Sequence, residues 1–196
     1  MELLHTFTFT CYDIKTLLVD CNKLSTFTSR LNKQSESHPE RHCPMKYRGD
    51  GFELFTEALF KLSPCDNRLG VYDYKPIEGS ADTGVDAIGI GLNGKPAAVQ
   101  IKYRSDGTQL LTANRDHLMN FGYAAQNKYN VDLADQNNMI IVTTAKALHH
   151  FTNSEMFLGK VHVVHLSTLR KLVDNNIGFW NQFRRMIEET LDESIF

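Results

Sequence analysis

Asp86, Gln100 and Lys102 are the residues of this chain whose types and spacing suit chemistry: an acid opening one strand pattern, then an amide and a lysine two residues apart on the next. Successive strand residues point to opposite faces, so Gln100 and Lys102 share one face while Val99 and Ile101 pack the other. Such a set suits hydrolysis of a phosphodiester. That reaction develops charge on the attacking and leaving oxygens, and one or two Mg²⁺ or Mn²⁺ ions stabilise it while lowering the pKa of a bound water. Hard cations take oxygen ligands, here the Asp86 carboxylate, the Gln100 side-chain carbonyl and the Ile101 backbone carbonyl. Lys102, a compact cation, would orient the water or neutralise charge in the transition state. Taken singly, Asp86 could cap a turn, Lys102 could snorkel from a strand end and Gln100 could pair with a neighbour. Three polar side chains converging within otherwise apolar strands are costly unless satisfied or used, and this favours the chemical reading.

These residues need two adjacent strands and a cover. Asp50 is a good N-cap for a helix through Leu62, in which Phe52, Phe55, Leu59 and Leu62 recur at helical spacing before Ser63-Pro64 stops it. A strand near Leu69 to Tyr74 follows, then a loop rich in Gly, Ser and Asp from Glu78 to Gly84. Strands Val85 to Leu92 and Ala97 to Tyr103 flank Asn93-Gly94 and make a hairpin, both apolar on both faces as central strands between helices would be. A helix from about Thr112 to Tyr129, strands over Met139 to Thr143 and Val161 to Leu166, and helices near Ser167 to Val173 and Phe179 to Leu191 complete the pattern. The order is αβββαβ with additions, an α/β class with a central mixed sheet flanked by helices.

The hairpin register decides whether the site can exist. A two-residue Asn93-Gly94 turn would set Asp86 opposite Ile101, on the wrong face. A three-residue loop, Leu92-Asn93-Gly94 with Gly94 left-handed, pairs Gly91 with Lys95 and sets Asp86 opposite Gln100. The second register is the expected one.

The first helix offers a further acid. Glu53 and Glu57 share a face at i and i+4. Glu53 has a capping box with Asp50 as its plain alternative and Glu57 an ion pair with Lys61, and Glu53 is preferred as the acid near the metal. Lys46, Arg48, Arg104, Arg115 and Lys128 are candidate phosphate contacts, with solvated surface charge as their alternative. Tyr103 and Tyr123 could stack on a base, although packing is the preferred reading.

The 196 residues carry 21 basic and 23 acidic side chains, a net charge of -2 at pH 7 that excludes the strongly basic footprint of an architectural nucleic-acid binder but not a nuclease. No apolar run nears the roughly 20 residues that span a bilayer, and no basic-then-apolar leader opens the chain, so a soluble intracellular protein is expected. Cys11, Cys21, Cys43 and Cys65 form no C-x-x-C pair, and a zinc site from His38, His42, Cys43 and Cys65 is disfavoured by its spacing. Residues 1–43 are expected to be an accessory segment and linker, with Phe7 and Phe9 alternating, a helix near Asp13 to Leu24, and a polar linker from Asn32 to Arg41; the main domain is 44–196. Candidate dimer surfaces are Phe7, Phe9 and Leu17, and Phe179, Trp180, Phe183 and Ile187, unless both patches cover the monomer's own core.

Gly49-Asp50-Gly51-Phe52-Glu53, Asp82-Thr83-Gly84-Val85-Asp86-Ala87-Ile88 and Ala98-Val99-Gln100-Ile101-Lys102-Tyr103-Arg104 together resemble the nuclease core of the PD-(D/E)XK superfamily, nearest to Mrr-like restriction endonuclease domains. The resemblance spans roughly 48–172. It implies a restriction-endonuclease-like αβββαβ core that cleaves DNA with Mg²⁺, with the catalytic roles falling on Glu53, Asp86, Gln100 and Lys102. Gln100 stands where many members have Glu or Asp, as Mrr-like members also do; a glutamate there is expected to bind metal at least as well. The implied activity is a restriction or mobile-element endonuclease, with a Holliday-junction or flap nuclease and a catalytically idle DNA-binding or assembly module as alternatives.

Overall fold

The computed structural model describes residues 11–37, 43–77, 84–111, 115–149 and 161–193, with the side chains of 11–14, 115–118, 136 and 191–193 excepted. In chain order the elements are α1 (Cys11–Leu18), α2 (Leu24–Ser37), α3 (Pro44–Leu62), β1 (Val71–Pro76), β2 (Ala87–Gly91), β3 (Pro96–Lys102), β4 (Leu110–Leu111), α4 (Arg115–Tyr129), β5 (Met139–Thr143), β6 (Ala147–Leu148), β7 (His162–Val164), α5 (Leu166–Val173) and α6 (Ile177–Glu193). They group into two compact units, residues 1–62 with 169–196, and residues 63–168.

The first unit is helical. On α2, Leu24, Phe27, Leu31 and Ser35 form one buried stripe at helical spacing. Phe27 meets Phe55 of α3 with ring centroids 5.5 Å apart, and Phe55 meets Trp180 of α6 at 6.1 Å. Trp180 sits edge-on to Phe179 at 5.0 Å, and its indole N–H donates to the Val173 carbonyl at 2.8 Å, so the large ring is buried without an orphaned donor. Leu17, Phe179, Trp180, Phe183 and Ile187 are all buried. The two patches considered as dimer surfaces are therefore corrected to core in these residues; Phe7 and Phe9 lie outside the described ones.

Two expected boundaries in this unit shift. Helix α3 begins at Pro44, six residues before the expected cap, because proline suits a first helical turn and Lys46 Nζ reaches Asp50 Oδ2 at 2.6 Å across one turn of an established helix. Asp50 is thus interior, not an N-cap. The polar run expected as a linker from Asn32 is helix as far as Ser37, since Leu31 and Ser35 bury one face and the polar residues occupy the other. Residues 38–42 lie outside the described ones. The start of α2 is closed from far along the chain, the Leu24 N–H donating to Asp174 Oδ1 at 2.8 Å.

The second unit holds a five-stranded mixed sheet in the order β1-β2-β3-β5-β7. The first three strands are antiparallel, and β5 and β7 run parallel to β3. This is the expected element order, with a small parallel pair β4–β6 added. On one face α4 supplies Phe121, Ala124 and Ala125 against Ala98, Met139, Ile141 and Val85. Both faces of β3 are buried from Ala97 to Ile101, as are all five residues of β5. The same was expected of β2, but Ile88 and Gly89 are half-buried and Ile90 is exposed. Helix α4 packs against β3.

A bulge sets the twist of the β1–β2 edge. Asp73, at φ 48°, and Tyr74 together oppose Gly89, between the pairs Tyr72↔Ile90 and Lys75↔Ile88. A Cβ at Gly89 would lie 2.5 Å from the Tyr72 carbonyl oxygen, so the strands can only approach this closely over glycine. Gly89→Ala is expected to destabilise the protein by about 1–3 kcal/mol, read as a lower urea midpoint at unchanged slope. An unchanged midpoint would mean that the bulge relaxes freely.

The hairpin adopts the three-residue loop. The Gly91 N–H donates to Lys95 O at 2.8 Å, and Gly94, at φ 77°, donates to Gly91 O at 2.9 Å. Asn93 secures the loop, its Nδ2 donating to Asp135 Oδ2 at 2.7 Å and Asn138 Oδ1 at 2.8 Å. Among the described residues, no helix is long and apolar enough to cross a membrane.

Candidate functional site

The pairs Ala87↔Val99, Ile88↔Ala98, Gly89↔Ala97 and Ile90↔Pro96 make up the register of β2 on β3, and Asp86 lies one residue before the first of them. Strand β2 begins only at Ala87, so at Asp86 the chain is leaving the sheet. Its N–H still donates to Val99 O at 2.9 Å, and its Oδ2 accepts the Ile101 N–H at 2.6 Å. The carboxylate thus takes the place of the backbone acceptor that a continuing strand would have offered. A strand residue directs its N–H and C=O to the same edge, so the Ile101 carbonyl faces the edge that β2 has vacated. Asp86 and the Ile101 carbonyl therefore lie along the same edge of β3.

Gln100 is 2% exposed, on the face of the sheet that α4 covers. Its Nε2 donates to the Gly84 carbonyl at 2.9 Å, and among the described residues no partner is shown on Oε1. Gly84 holds the left-handed region at φ 72°. Lys102, two residues along the same face, is half-buried and makes no ion pair among the described residues. The parallel neighbour β5 anchors its main chain, Thr143 Oγ1 donating to Lys102 O at 2.7 Å. One residue further, Thr144 Oγ1 accepts the Arg104 N–H at 2.6 Å and donates to Arg104 O at 2.8 Å.

Asp86, Gln100, Ile101 and Lys102 are accordingly brought together within the second unit. Glu53 belongs to the first unit, half-buried on α3. Glu57, there too, is fully buried and accepts from Lys61 Nζ at 2.7 Å, the ion pair expected of it. Of the basic residues, Lys46 and Arg48 also belong to the first unit, where Lys46 pairs with Asp50. Arg104 is half-buried with Nη1 donating to Tyr103 O at 2.9 Å, Lys128 is exposed, and the side chain of Arg115 lies outside the described ones. Tyr123 is 72% exposed, which removes it from the core, whereas Tyr103 is half-buried.

Sequence reasoning passed over Gly84, Thr143 and Thr144. Gly84 had a signal in its own identity, a glycine two residues before a candidate ligand. The threonines had none, because their hydroxyls act on a strand that only the parallel pairing brings beside them. No group of three or more His, Cys, Asp or Glu gathers at one point among the described residues. Comparison with protein-family models, with curated proteins and with solved structures gives no match.

Proposed function

We propose that the chain is a Mg²⁺-dependent DNA endonuclease, with Mn²⁺ able to substitute, that hydrolyses phosphodiester bonds at the end of the β2–β3 hairpin. The observation that carries this reading is the pair of hydrogen bonds that link Asp86 to Val99 and Ile101, on either side of Gln100, with Lys102 on the face of Gln100. The donors suit a hard cation: a carboxylate, an amide whose nitrogen is already committed to Gly84, and a strand carbonyl at the vacated edge. Asp86, Gln100 and the Ile101 carbonyl would hold the ion. When bound, the cation would supply Lewis-acid stabilisation and a water of lowered pKa. Lys102 offers its charge to the developing phosphorane, and no carboxylate among the described residues competes for it. DNA as the substrate is drawn from the resemblance to Mrr-like domains, and Arg104 and Lys128 are the phosphate contacts proposed in this unit.

Incubation with linear, supercoiled, single-stranded and branched DNA tests the reading. Cleavage is expected with Mg²⁺ or Mn²⁺ and none with excess EDTA. Cleavage that persists in EDTA would rule out the metal, and intact DNA under every condition would rule out the nuclease. A strong preference for branched over linear duplex would redirect the proposal to a junction nuclease.

A further inference from the structure

Gln100 is held in a way that distinguishes an amide from a carboxylate. A carbonyl oxygen only accepts hydrogen bonds, so the contact with Gly84 O assigns the nitrogen to that end of the side chain and leaves the oxygen as the other end. We propose that Gly84 is the positioning residue of this site, its carbonyl orienting the Gln100 amide so that oxygen is presented to a cation and making the position selective for glutamine over glutamate. This rests on the reading of Gln100 as an oxygen ligand. A glutamate would set one carboxylate oxygen against the Gly84 carbonyl oxygen with no hydrogen between them, in a place that is 2% exposed in the wild type. The expectation that a carboxylate here binds metal at least as well is thereby reversed.

Gly84 is itself constrained twice. Its φ of 72° disfavours any side chain, and a Cβ there would stand 3.0 Å from Gln100 Nε2 and 3.5 Å from the Phe121 backbone. Alanine would press on the amide that the carbonyl orients.

Three variants separate this from simple packing: Gln100→Glu, Gln100→Met and Gly84→Ala. In EDTA at neutral pH, Gln100→Glu is expected to melt roughly 5 °C or more below wild type and also below Gln100→Met, which sets no acceptor against Gly84. In Mn²⁺ titration calorimetry, Gln100→Glu is expected to bind about tenfold more weakly despite its added negative charge, and Gly84→Ala to weaken binding similarly while keeping its circular dichroism. Equal or tighter Mn²⁺ binding by Gln100→Glu, or a melting point at or above that of Gln100→Met, would overturn the proposal. Should Gln100→Glu not fold, Gly84→Ala decides, a folded variant with wild-type Mn²⁺ affinity refuting it. If wild type binds no Mn²⁺, the endonuclease reading fails, whereas the order of melting points in EDTA still decides whether the position selects an amide.

Discussion

Asp86→Asn is expected to reduce Mg²⁺-dependent DNA cleavage by about a thousandfold or more while the protein stays folded. The two losses separate because the carboxylate has two jobs. Its charge is the principal attraction for a cation in the proposed site, and its Oδ2 accepts the Ile101 N–H where β2 leaves the sheet. Asparagine keeps an oxygen for that N–H and removes only the charge, so stability should fall by no more than about 1 kcal/mol. Asp86→Ala removes both and should cost a further 1–3 kcal/mol, roughly, by leaving a strand-end donor unsatisfied. Cleavage assays beside thermal melts of both variants test this. Retained cleavage by Asp86→Asn would remove Asp86 from the chemistry and leave it as a strand cap.

Lys102→Ala is the second large effect. Turnover is expected to fall by about a hundredfold to a thousandfold with DNA affinity nearly unchanged, since a charge offered to the phosphorane counts most in the transition state. The side chain is half-buried and makes no ion pair among the described residues, so its removal should scarcely alter the melting temperature. Single-turnover cleavage and a separate binding titration in Ca²⁺ distinguish the cases. Equal losses in binding and turnover would make Lys102 a phosphate-positioning contact instead.

Much of the architecture around these residues can be read from local pattern. The run Met139 to Thr143 is bounded as expected because it is continuously apolar and β-branched between polar turns, the signature of a strand buried on both faces. Helix α6 is legible from its amphipathic repeat, whose Phe179, Trp180, Phe183 and Ile187 are buried. Boundaries were less legible where several residues compete for one role. Asp50 is a good cap in isolation, yet Pro44 opens the helix earlier and an ion pair with Lys46 makes Asp50 comfortable inside it. Asn32 to Ser37 is polar enough for a linker, but an amphipathic helix needs few apolar residues when packing holds its other side.

The chain alone carries the element order, the face shared by Gln100 and Lys102, and the preference for a left-handed Gly94 that gives the hairpin its three-residue loop, because strand parity and glycine's freedom at positive φ are local properties. Packing had to decide the rest. Whether β2 continues past Ala87 depends on the competition between a backbone ladder and the Asp86 carboxylate for the Ile101 N–H. Which end of the Gln100 amide meets Gly84 is set by a carbonyl sixteen residues away in sequence. Lys102 and Arg104 are anchored by Thr143 and Thr144, about forty residues on, through a parallel strand pairing. Each of these is a hydrogen bond between residues far apart in the chain, and no window of local sequence contains both partners.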